Sequence, residues 1–222
     1  MSHPSLGRLL AAGAVTLAVS LSGAALAPAE AALPSERVVA SHKFSKGKAR
    51  NARLSIPAIG IHRLPVIAYR GWTDDGPGTR IQNRGIAASS HGPRGGTGPG
   101  GKGNYQVTGH RTSHGGVFRR TPSLDVGSRI AVDVGKFRYV YTVTRTRWTS
   151  FRSAKSLRAQ RAPVPGYPGR EPKRGFITVS TCATPEDHAA GNYWTDQYGN
   201  PEHRIDKIGV LVKRVRNPWH QG

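Results

Sequence analysis

The feature of this sequence that most restricts its fold is the division of short apolar runs by glycine and proline. Residues 137–143 place Phe137, Tyr139, Tyr141 and Val143 at alternate positions, which is typical of a strand with one buried face. Helix-period stretches are scarce, and residues 153–160 predict about two helical turns. Further strand-like runs lie at residues 53–61, 65–69, 104–108, 129–134, 176–181 and 208–212. About seven short strands joined by such turns predict an all-β fold, either a small barrel or a sandwich.

A long segment rich in glycine and proline interrupts the strand-like runs. Residues 71–103 include seven residues, 95–101, of which five are glycine and one is proline. Such a composition is typical of a loop, and a loop of this length inside a compact domain is usually functional or mobile. We therefore expect residues 71–103 to form a long loop that contains at most a short helix.

The N-terminus predicts export. Residues 1–8 are weakly positive, residues 9–27 are uncharged and rich in Ala, Leu and Val, and Ala25-Leu26-Ala27 resembles a cleavage site. Residues 1–31 are thus interpreted as a signal peptide or an N-terminal membrane anchor, and residues 32–51 as a basic flexible linker. Residues 52–216 form the predicted catalytic domain and residues 217–222 a tail. The expected location is extracytoplasmic, either anchored to the cell membrane or secreted to the cell wall.

The charge of the chain favours polyanionic surroundings. Lys and Arg number 33 against 12 Asp and Glu, which gives a formal net charge of +21. The basic residues are dispersed, and neither zinc-finger spacing nor a basic region with heptads is present, which argues against sequence-specific nucleic-acid binding. Two interpretations remain open: a solvated basic surface, or attraction to an anionic wall polymer or membrane surface.

The single cysteine, Cys182, is a candidate nucleophile. In an exported protein one unpaired cysteine suggests a reactive thiol, although a free cysteine is also a common small core residue. Cys182 follows the β-type run 175–181 and precedes Ala183-Thr184-Pro185, which must turn. A cysteine at the end of a strand faces a loop, and the many nearby basic residues are expected to favour its thiolate form.

A cysteine nucleophile needs a proton-transfer partner, and imidazole both takes and gives a proton near neutral pH. His110 lies just past the strand-like run 104–108, so that it could meet Cys182 at one rim of the sheet. His91, His188 and His203 are alternatives that chemistry alone leaves open. His114 is four residues after His110, but no helix or glutamate supports a metal pair there, and no cofactor or metal is predicted.

An acyl-transfer site also needs a positive charge for the developing oxyanion. Arg204 precedes the last apolar run, and its guanidinium stays charged and offers several donors. A surface arginine near the start of a strand is equally common in so basic a chain. Lys207 and Arg214 therefore remain rival candidates.

Several of these residues lie in motifs that resemble the sortase family. Thr178-Val179-Ser180-Thr181-Cys182 is similar to the sortase signature T-L-x-T-C, with valine in place of leucine, and Gly109-His110 resembles the catalytic Gly-His of the family. Arg204, before a terminal strand, resembles the catalytic arginine, and residues 56–61 resemble the first-strand motif I-P-K-I-G. The order His, Cys, Arg is that of the family. The run Gly109-His110-Arg111-Thr112 is most similar to the actinobacterial class E branch.

The resemblance implies a sortase-like eight-stranded β-barrel with short helices and long loops. It implies that Cys182 attacks the Thr–Gly bond of an LPxTG-like or LAxTG-like sorting signal and that Arg204 stabilises the oxyanion. A peptidoglycan precursor amine would then resolve the thioacyl enzyme, with His110 transferring protons. The implied partners are surface proteins that bear sorting signals. One departure is the 22-position separation of Cys182 and Arg204, which is longer than in many relatives.

Three other classes remain as alternatives. Ser113-His114-Gly115-Gly116-Val117 resembles the S-H-G-C-V motif of L,D-transpeptidases, but Gly116 stands where the nucleophile must be. A papain-like hydrolase places its cysteine ahead of its histidine, and His203 follows Cys182 too closely for those folds. The remaining alternative is a non-catalytic, basic cell-wall-binding protein.

Overall fold

The structure is a computed structural model that describes residues 44–220 of the chain. Within that range the chain forms eight strands, three short α-helices and two 3-10 turns. The strands are β1 (Ala52–Ile56), β2 (Ile61–Arg70), β3 (Ala87–His91), β4 (Gly103–Thr108), β5 (Arg129–Val134), β6 (Phe137–Ser150), β7 (Gly175–Cys182) and β8 (His203–Arg216). The helices are α1 (Gly76–Gln82), α2 (Ala154–Arg161) and α3 (Thr184–Ala189), and the 3-10 turns are Pro57–Ile59 and Thr121–Ser123.

The strands close into one barrel in the order β1-β2-β3-β4-β7-β8-β6-β5, with β5 pairing back to β1. The pairs β2–β3 and β4–β7 are parallel, and the others are antiparallel. This arrangement confirms the predicted eight-stranded β-barrel. Each strand thereby has a neighbour on both sides, although β3 and β4 share only the one register pair Ala88 and Thr108.

Alternation along the strands separates an apolar interior from a polar outer face. On β7, Ile177 and Val179 belong to the hydrophobic core, together with Tyr105 and Val107 of β4. Each large apolar side chain buried in this way stabilises the fold by roughly 1.5–3 kcal/mol. Because side chains alternate in a strand, the residues between them point to the opposite face, and Cys182 shares that face with Ser180.

The long glycine-rich segment contains more regular structure than its composition predicts. Residues 71–103 include the expected short helix, α1, which begins where the Asp75 side chain accepts a hydrogen bond from the Gly78 amide at 2.8 Å. They also include β3, which pairs in parallel with β2 and was not predicted. The β3 sequence, Ala-Ala-Ser-Ser-His, lacks β-branched and aromatic residues, so that only tertiary pairing makes it a strand. The helix predicted at residues 153–160 is present as α2.

The described part of the basic linker lies against the barrel. The Ser45 amide donates to Gly100 O at 2.8 Å, and the Gly98 amide donates to Gly47 O at 2.8 Å. Ordered contacts therefore begin within the segment predicted as a linker. The predicted signal peptide or anchor lies outside the described residues. Within residues 44–220, no helix is both long and apolar enough to span a membrane.

Candidate active site

Cys182 and Arg204 are brought together by strand register. Cys182 ends β7, Arg204 is the second residue of β8, and the two are direct partners in the antiparallel ladder. Directly opposite residues in such a ladder have Cβ atoms roughly 4.5–5.5 Å apart. Cys182 is a free, partly exposed thiol. The residues that separate the two in sequence, which include α3, leave the ladder after Cys182 and return to it at β8.

Arg204 is fully buried and is held by a specific set of partners. Its Nε donates to Asp74 Oδ2 at 2.8 Å and its Nη1 to Pro201 O at 2.9 Å, while its guanidinium stacks on the Phe151 ring at 4.2 Å. Within residues 44–220, Nη2 is buried and has no hydrogen-bond partner. Burial alone would lower the pKa of Arg204, but charge interactions with Cys182 and Asp74 raise it overall. The site therefore holds a permanent cation with one unused donor.

Asp74, the counter-ion of Arg204, is a residue of the candidate site that sequence reasoning missed. It is buried in the loop between β2 and α1, with φ at +58°, and its Oδ1 accepts from Gln82 Nε2 at 2.9 Å. A positive φ is uncommon outside glycine but is tolerated best by Asn and Asp. The only sequence signal is the run Asp74-Asp75-Gly76-Pro77, which indicates a turn and not a contact with residue 204.

His110 reaches the same rim through the parallel pairing of β4 with β7. Thr108 is the register partner of Ser180, the Gly109 amide donates to Ser180 O at 3.3 Å, and Thr181 Oγ1 donates to Gly109 O at 2.9 Å. Continuing this register by two residues places His110 level with Cys182. The structure thus brings the three predicted residues to one end of adjacent strands β4, β7 and β8.

The surroundings of His110 favour a neutral imidazole of defined tautomer. Its Nε2 lies 2.7 Å from Asn83 Oδ1, and its ring stacks on that of His114 with centroids 4.9 Å apart. Burial is the main cause that lowers the pKa of His110, and the nearby His114 lowers it further, while Asp74 opposes the shift. If Nε2 donates to the Asn83 oxygen, Nδ1 is the unprotonated nitrogen and can accept a proton.

The thiol of Cys182 differs from the sequence-based expectation. Burial raises the pKa of Cys182, and the lowering effects of Arg204 and Arg111 do not offset it; Asp74 raises it further. The expectation that surrounding cations favour the thiolate was therefore wrong for the resting state, because desolvation outweighs them. Both shifts favour the uncharged forms of the two groups, a thiol at Cys182 and an imidazole at His110.

Arg111 fixes the chain around the cysteine. Its Nη1 donates to Cys182 O at 3.2 Å, and the guanidinium forms a two-point ion pair with Glu186 of α3, in which Nη2 lies 2.8 Å from Oε1. The hydrogen bonds from Arg111 lower the pKa of Glu186. One side chain thereby ties the loop after β4 to the end of β7 and to the helix that follows it.

The rival candidates have other partners. Lys207 donates to Thr146 Oγ1 at 2.9 Å, and Arg214 lines a cleft formed with Phe137 and Tyr139 near the far end of β8. His203 is bound to Asp187 at 2.6 Å, and the His188 ring packs against Tyr193. His91, at the end of β3, forms a bridge with Gly96. None of these contacts involves Cys182.

A buried polar layer lies beneath the reactive pair. Asp206 is the register partner of Ser180, one step below the pair of Arg204 and Cys182 on the same face, and accepts from Ser180 Oγ at 2.7 Å. It also accepts from Thr149 Oγ1 at 2.6 Å and from Gln160 Nε2 of α2 at 3.0 Å. Burial raises the pKa of Asp206, and these hydrogen bonds oppose the shift. The layer fixes α2 over the strands that carry the reactive residues.

Within residues 44–220, no group of three or more His, Cys, Asp or Glu is placed to hold a metal ion.

Comparisons with known proteins identify the family of the chain and its fold. The family model of the sortase domain matches residues 54–195, a range that includes His110 and Cys182 and ends before Arg204. No curated protein matches the chain.

Solved sortases share the fold at low sequence identity. The SrtA sortase of Actinomyces oris is 21% identical, with a TM-score of 0.57 over 81% of this chain and 88% of that one. Sortase E of Streptomyces avermitilis is 21% identical, with a TM-score of 0.53 over 78% and 93%. Sortase E1 of Streptomyces coelicolor, crystallised with a tripeptide in its active site, is 21% identical, with a TM-score of 0.55 over 81% and 97%.

Proposed function

The chain belongs to the sortase family of cysteine transpeptidases, and from that premise we propose that it cleaves an LPxTG-like or LAxTG-like sorting signal between Thr and Gly and transfers the acyl group to a cell-wall amine. The roles proposed are Cys182 as nucleophile, His110 as proton-transfer residue and Arg204 as oxyanion donor. The observation that carries the proposal is the register pair of Cys182 and Arg204, with the buried Arg204 Nη2 unpartnered within residues 44–220.

The first step is attack by Cys182 Sγ on the carbonyl carbon of the signal threonine. Burial raises the pKa of the Cys182 thiol, which favours its protonated form before substrate binds. The thiol must therefore lose its proton during the attack. His110 Nδ1 accepts it, which produces the imidazolium that the next step needs. In the proposal, His110 Nε2 donates its proton to Asn83 Oδ1, which leaves Nδ1 unprotonated and able to accept the thiol proton.

The tetrahedral intermediate carries its negative charge on the former carbonyl oxygen. Arg204 Nη2 is the donor for that oxygen, since Nε already donates to Asp74 and Nη1 already donates to Pro201 O. A preorganised cation with a fixed donor stabilises developing charge without reorganising, and one such donor typically contributes about 10²–10³ in rate. The pairing with Asp74 holds the guanidinium in place without neutralising Nη2.

Collapse of the intermediate breaks the Thr–Gly bond, and the glycine amine leaves with the proton from His110. The remaining acyl group is a thioester on Cys182. An amine, in the proposal that of a peptidoglycan precursor, loses a proton to His110 and attacks the thioester. The new amide is released, and the thiol is restored.

The proposed setting is extracytoplasmic, at the cell membrane or in the cell wall, with surface proteins that bear sorting signals as substrates. The N-terminal apolar run and the net charge of +21 support this setting. A basic cell-wall-binding protein without activity is the alternative that the experiment must exclude.

The test incubates the purified full chain with LPxTG and LAxTG peptides in the presence and absence of a primary amine, and reads the products by mass spectrometry. We expect cleavage between Thr and Gly and an amine adduct of the threonine carboxyl. Cys182→Ala is the matched control, because Cys and Ala differ little in size. An absence of product from every peptide and amine, with a correctly folded chain, would contradict the proposal.

A further inference from the structure

The end of the barrel away from Cys182 carries a group of basic and aromatic side chains, here called the basic end: Phe44, Lys46, Lys48, Arg50, Lys136 and Phe137. Phe137 opens β6 and pairs with Arg216 at the close of β8, while Arg204 pairs with Thr149 near the other ends of these strands. At about 3.3 Å per residue, the length of β8 separates the basic end from the reactive pair by roughly 30–40 Å.

Two clefts flank Phe137 at the basic end. One, of about 370 Å³, is lined by Phe44, Lys46, Lys48 and Arg50 on one side and by Phe137 and Tyr139 on the other. The second, of about 510 Å³, lies between Lys136, Phe137, Arg216 and His220. Neither cleft is lined by an acidic residue. Cationic side chains therefore lie beside aromatic rings in both clefts, and Ser45, Pro99 and Val134 complete the lining of the first.

The three cations of residues 46–50 form an ordered row. Lys46, Lys48 and Arg50 are exposed, whereas the residues between them are less so, as expected for an extended segment whose side chains alternate. The segment is fixed by the hydrogen bonds of Ser45 and Gly47 to residues 98–100. Within residues 44–220, no ion pair joins any of these three cations to a carboxylate.

The aromatic residues of the basic end are themselves flanked by cations. Lys102 Nζ lies 5.5 Å from the Phe44 ring centroid, and Lys136 Nζ lies 5.6 Å from that of Phe137. Both phenylalanines are only partly buried. Amphipathic groups of this kind, with aromatic rings beside Lys and Arg, suit the boundary between lipid headgroups and acyl chains.

We infer that the basic end docks on a bilayer surface that contains anionic phospholipid. Phosphate headgroups satisfy the cations of the clefts, and the aromatic rings of the clefts contact the apolar side of the headgroup layer. A soluble wall polymer would use the charges but not the rings, which is why the membrane is favoured. The inference rests on the proposed extracytoplasmic setting and not on the transfer reaction.

Docking in this way would orient the domain. The reactive rim, with Cys182 and Arg204 at the opposite end of β7 and β8, would face away from the lipid. Its distance from the lipid would be roughly the length of a long strand. Substrate would then approach Cys182 from the wall side of the membrane.

The test measures whether lipid protects the lysines of the basic end. The full chain is added to vesicles of phosphatidylcholine alone, or of phosphatidylcholine mixed with phosphatidylglycerol, and is acetylated briefly with a water-soluble reagent. Mass spectrometry then gives the acetylation rates of Lys46 and Lys48, with the exposed Lys155 of α2 as internal control. We expect the rates at Lys46 and Lys48 to fall on the anionic vesicles and the rate at Lys155 to stay unchanged.

Variants separate local docking from general charge. Each basic residue near an anionic surface contributes about fivefold to binding, so Arg50→Gln with Lys136→Gln should weaken docking about 25-fold and restore acetylation. Arg119→Gln with Arg129→Gln removes the same charge from exposed positions elsewhere and should leave protection intact. Phe44→Ser should also reduce protection, with circular dichroism as the folding control.

Three outcomes would overturn the inference. The first is that Lys46 and Lys48 are each acetylated at the same rate on anionic vesicles as on vesicles of phosphatidylcholine alone. The second is an equal loss of protection in the two double variants. The third is that soluble polyphosphate protects Lys46 and Lys48 as well as anionic vesicles do, and that Phe44→Ser does not change this protection. That result would assign the basic end to a wall polymer. Peptide transfer in the absence of vesicles is measured in parallel, so that failure here is distinguishable from failure of the proposed reaction.

Discussion

Removing the carboxylate of Asp74 should destabilise the domain and disable the site together. Asp74 is the acidic partner of Arg204 at 2.8 Å, and Arg204 is fully buried. Asp74→Ala leaves that cation uncompensated, and breaking a buried pair in this way typically costs about 3–5 kcal/mol. Because a domain of this size is stable by only about 5–15 kcal/mol, the variant should lose a large share of its free energy of unfolding.

The assay is urea unfolding followed by circular dichroism, with the free energy of unfolding taken by linear extrapolation. The matched control is Arg152→Ala, which breaks the pair of Arg152 with Glu202 at 3.6 Å. Since the Arg152 side chain is 59% exposed, that loss should be about 0–1 kcal/mol. A cost of Asp74→Ala no larger than that of Arg152→Ala would refute the reasoning.

A double variant separates the contribution of the pair of Asp74 and Arg204 to stability from its contribution to the transfer reaction. Asp74→Asn with Arg204→Met removes both charges of the buried pair, and Asn is a residue that tolerates the positive φ at position 74. We expect the double variant to recover most of the stability that Asp74→Ala loses but none of the transfer rate. Recovery of activity without Arg204 would show that the guanidinium is not the oxyanion donor.

The remaining predictions concern the reactive residues themselves. Cys182→Ala should abolish acyl transfer and leave the far-UV circular dichroism spectrum unchanged; wild-type turnover would contradict the central role of the thiol. His110→Ala should lower the transfer rate by about 10² or more, whereas His91→Ala should have little effect; equal losses would mean that the wrong histidine was chosen. Arg204→Lys should lose at least about tenfold in initial rate, because lysine keeps the charge but is a flexible point donor, and Lys207→Ala should stay near wild type. Since burial raises the pKa of Cys182, its alkylation by iodoacetamide should keep accelerating above about pH 8.5; a plateau near neutral pH would indicate a resting thiolate.

Much of the fold and part of the site could be predicted from the sequence because both depend on local pattern. The alternation that identified the strands also places Cys182 at the end of one strand and His110 just past another. Arg204 was harder to choose among 33 basic residues, since its selection depends on a cross-strand register that spans the intervening loop. The motif, and not the residues alone, favoured it over Lys207 and Arg214.

What the sequence could not predict are the contacts made between distant loops. Asp74 meets Arg204 only because the segment between β2 and α1 folds over the start of β8. The strand β3 is built from small residues and exists through its pairing with β2. The thiol pKa was misjudged for a related reason, because counting nearby cations in the sequence does not show that the barrel and its loops partly bury Cys182.

The ladder of β7 with β8 sets the spacing of the nucleophile and the proposed oxyanion donor, and Pro201 of the connecting segment adds one hydrogen bond to Arg204. Residues 183–202 leave β7 and return to β8, and their middle part is exposed, with Tyr193 at 69%. A nick after Gly191 would leave two fragments joined noncovalently, since β8 keeps its pairing with both β6 and β7. The same peptide bond is therefore a natural position for new termini in a circularly permuted enzyme, because the ladder of β7 with β8 sets the spacing of the reacting residues.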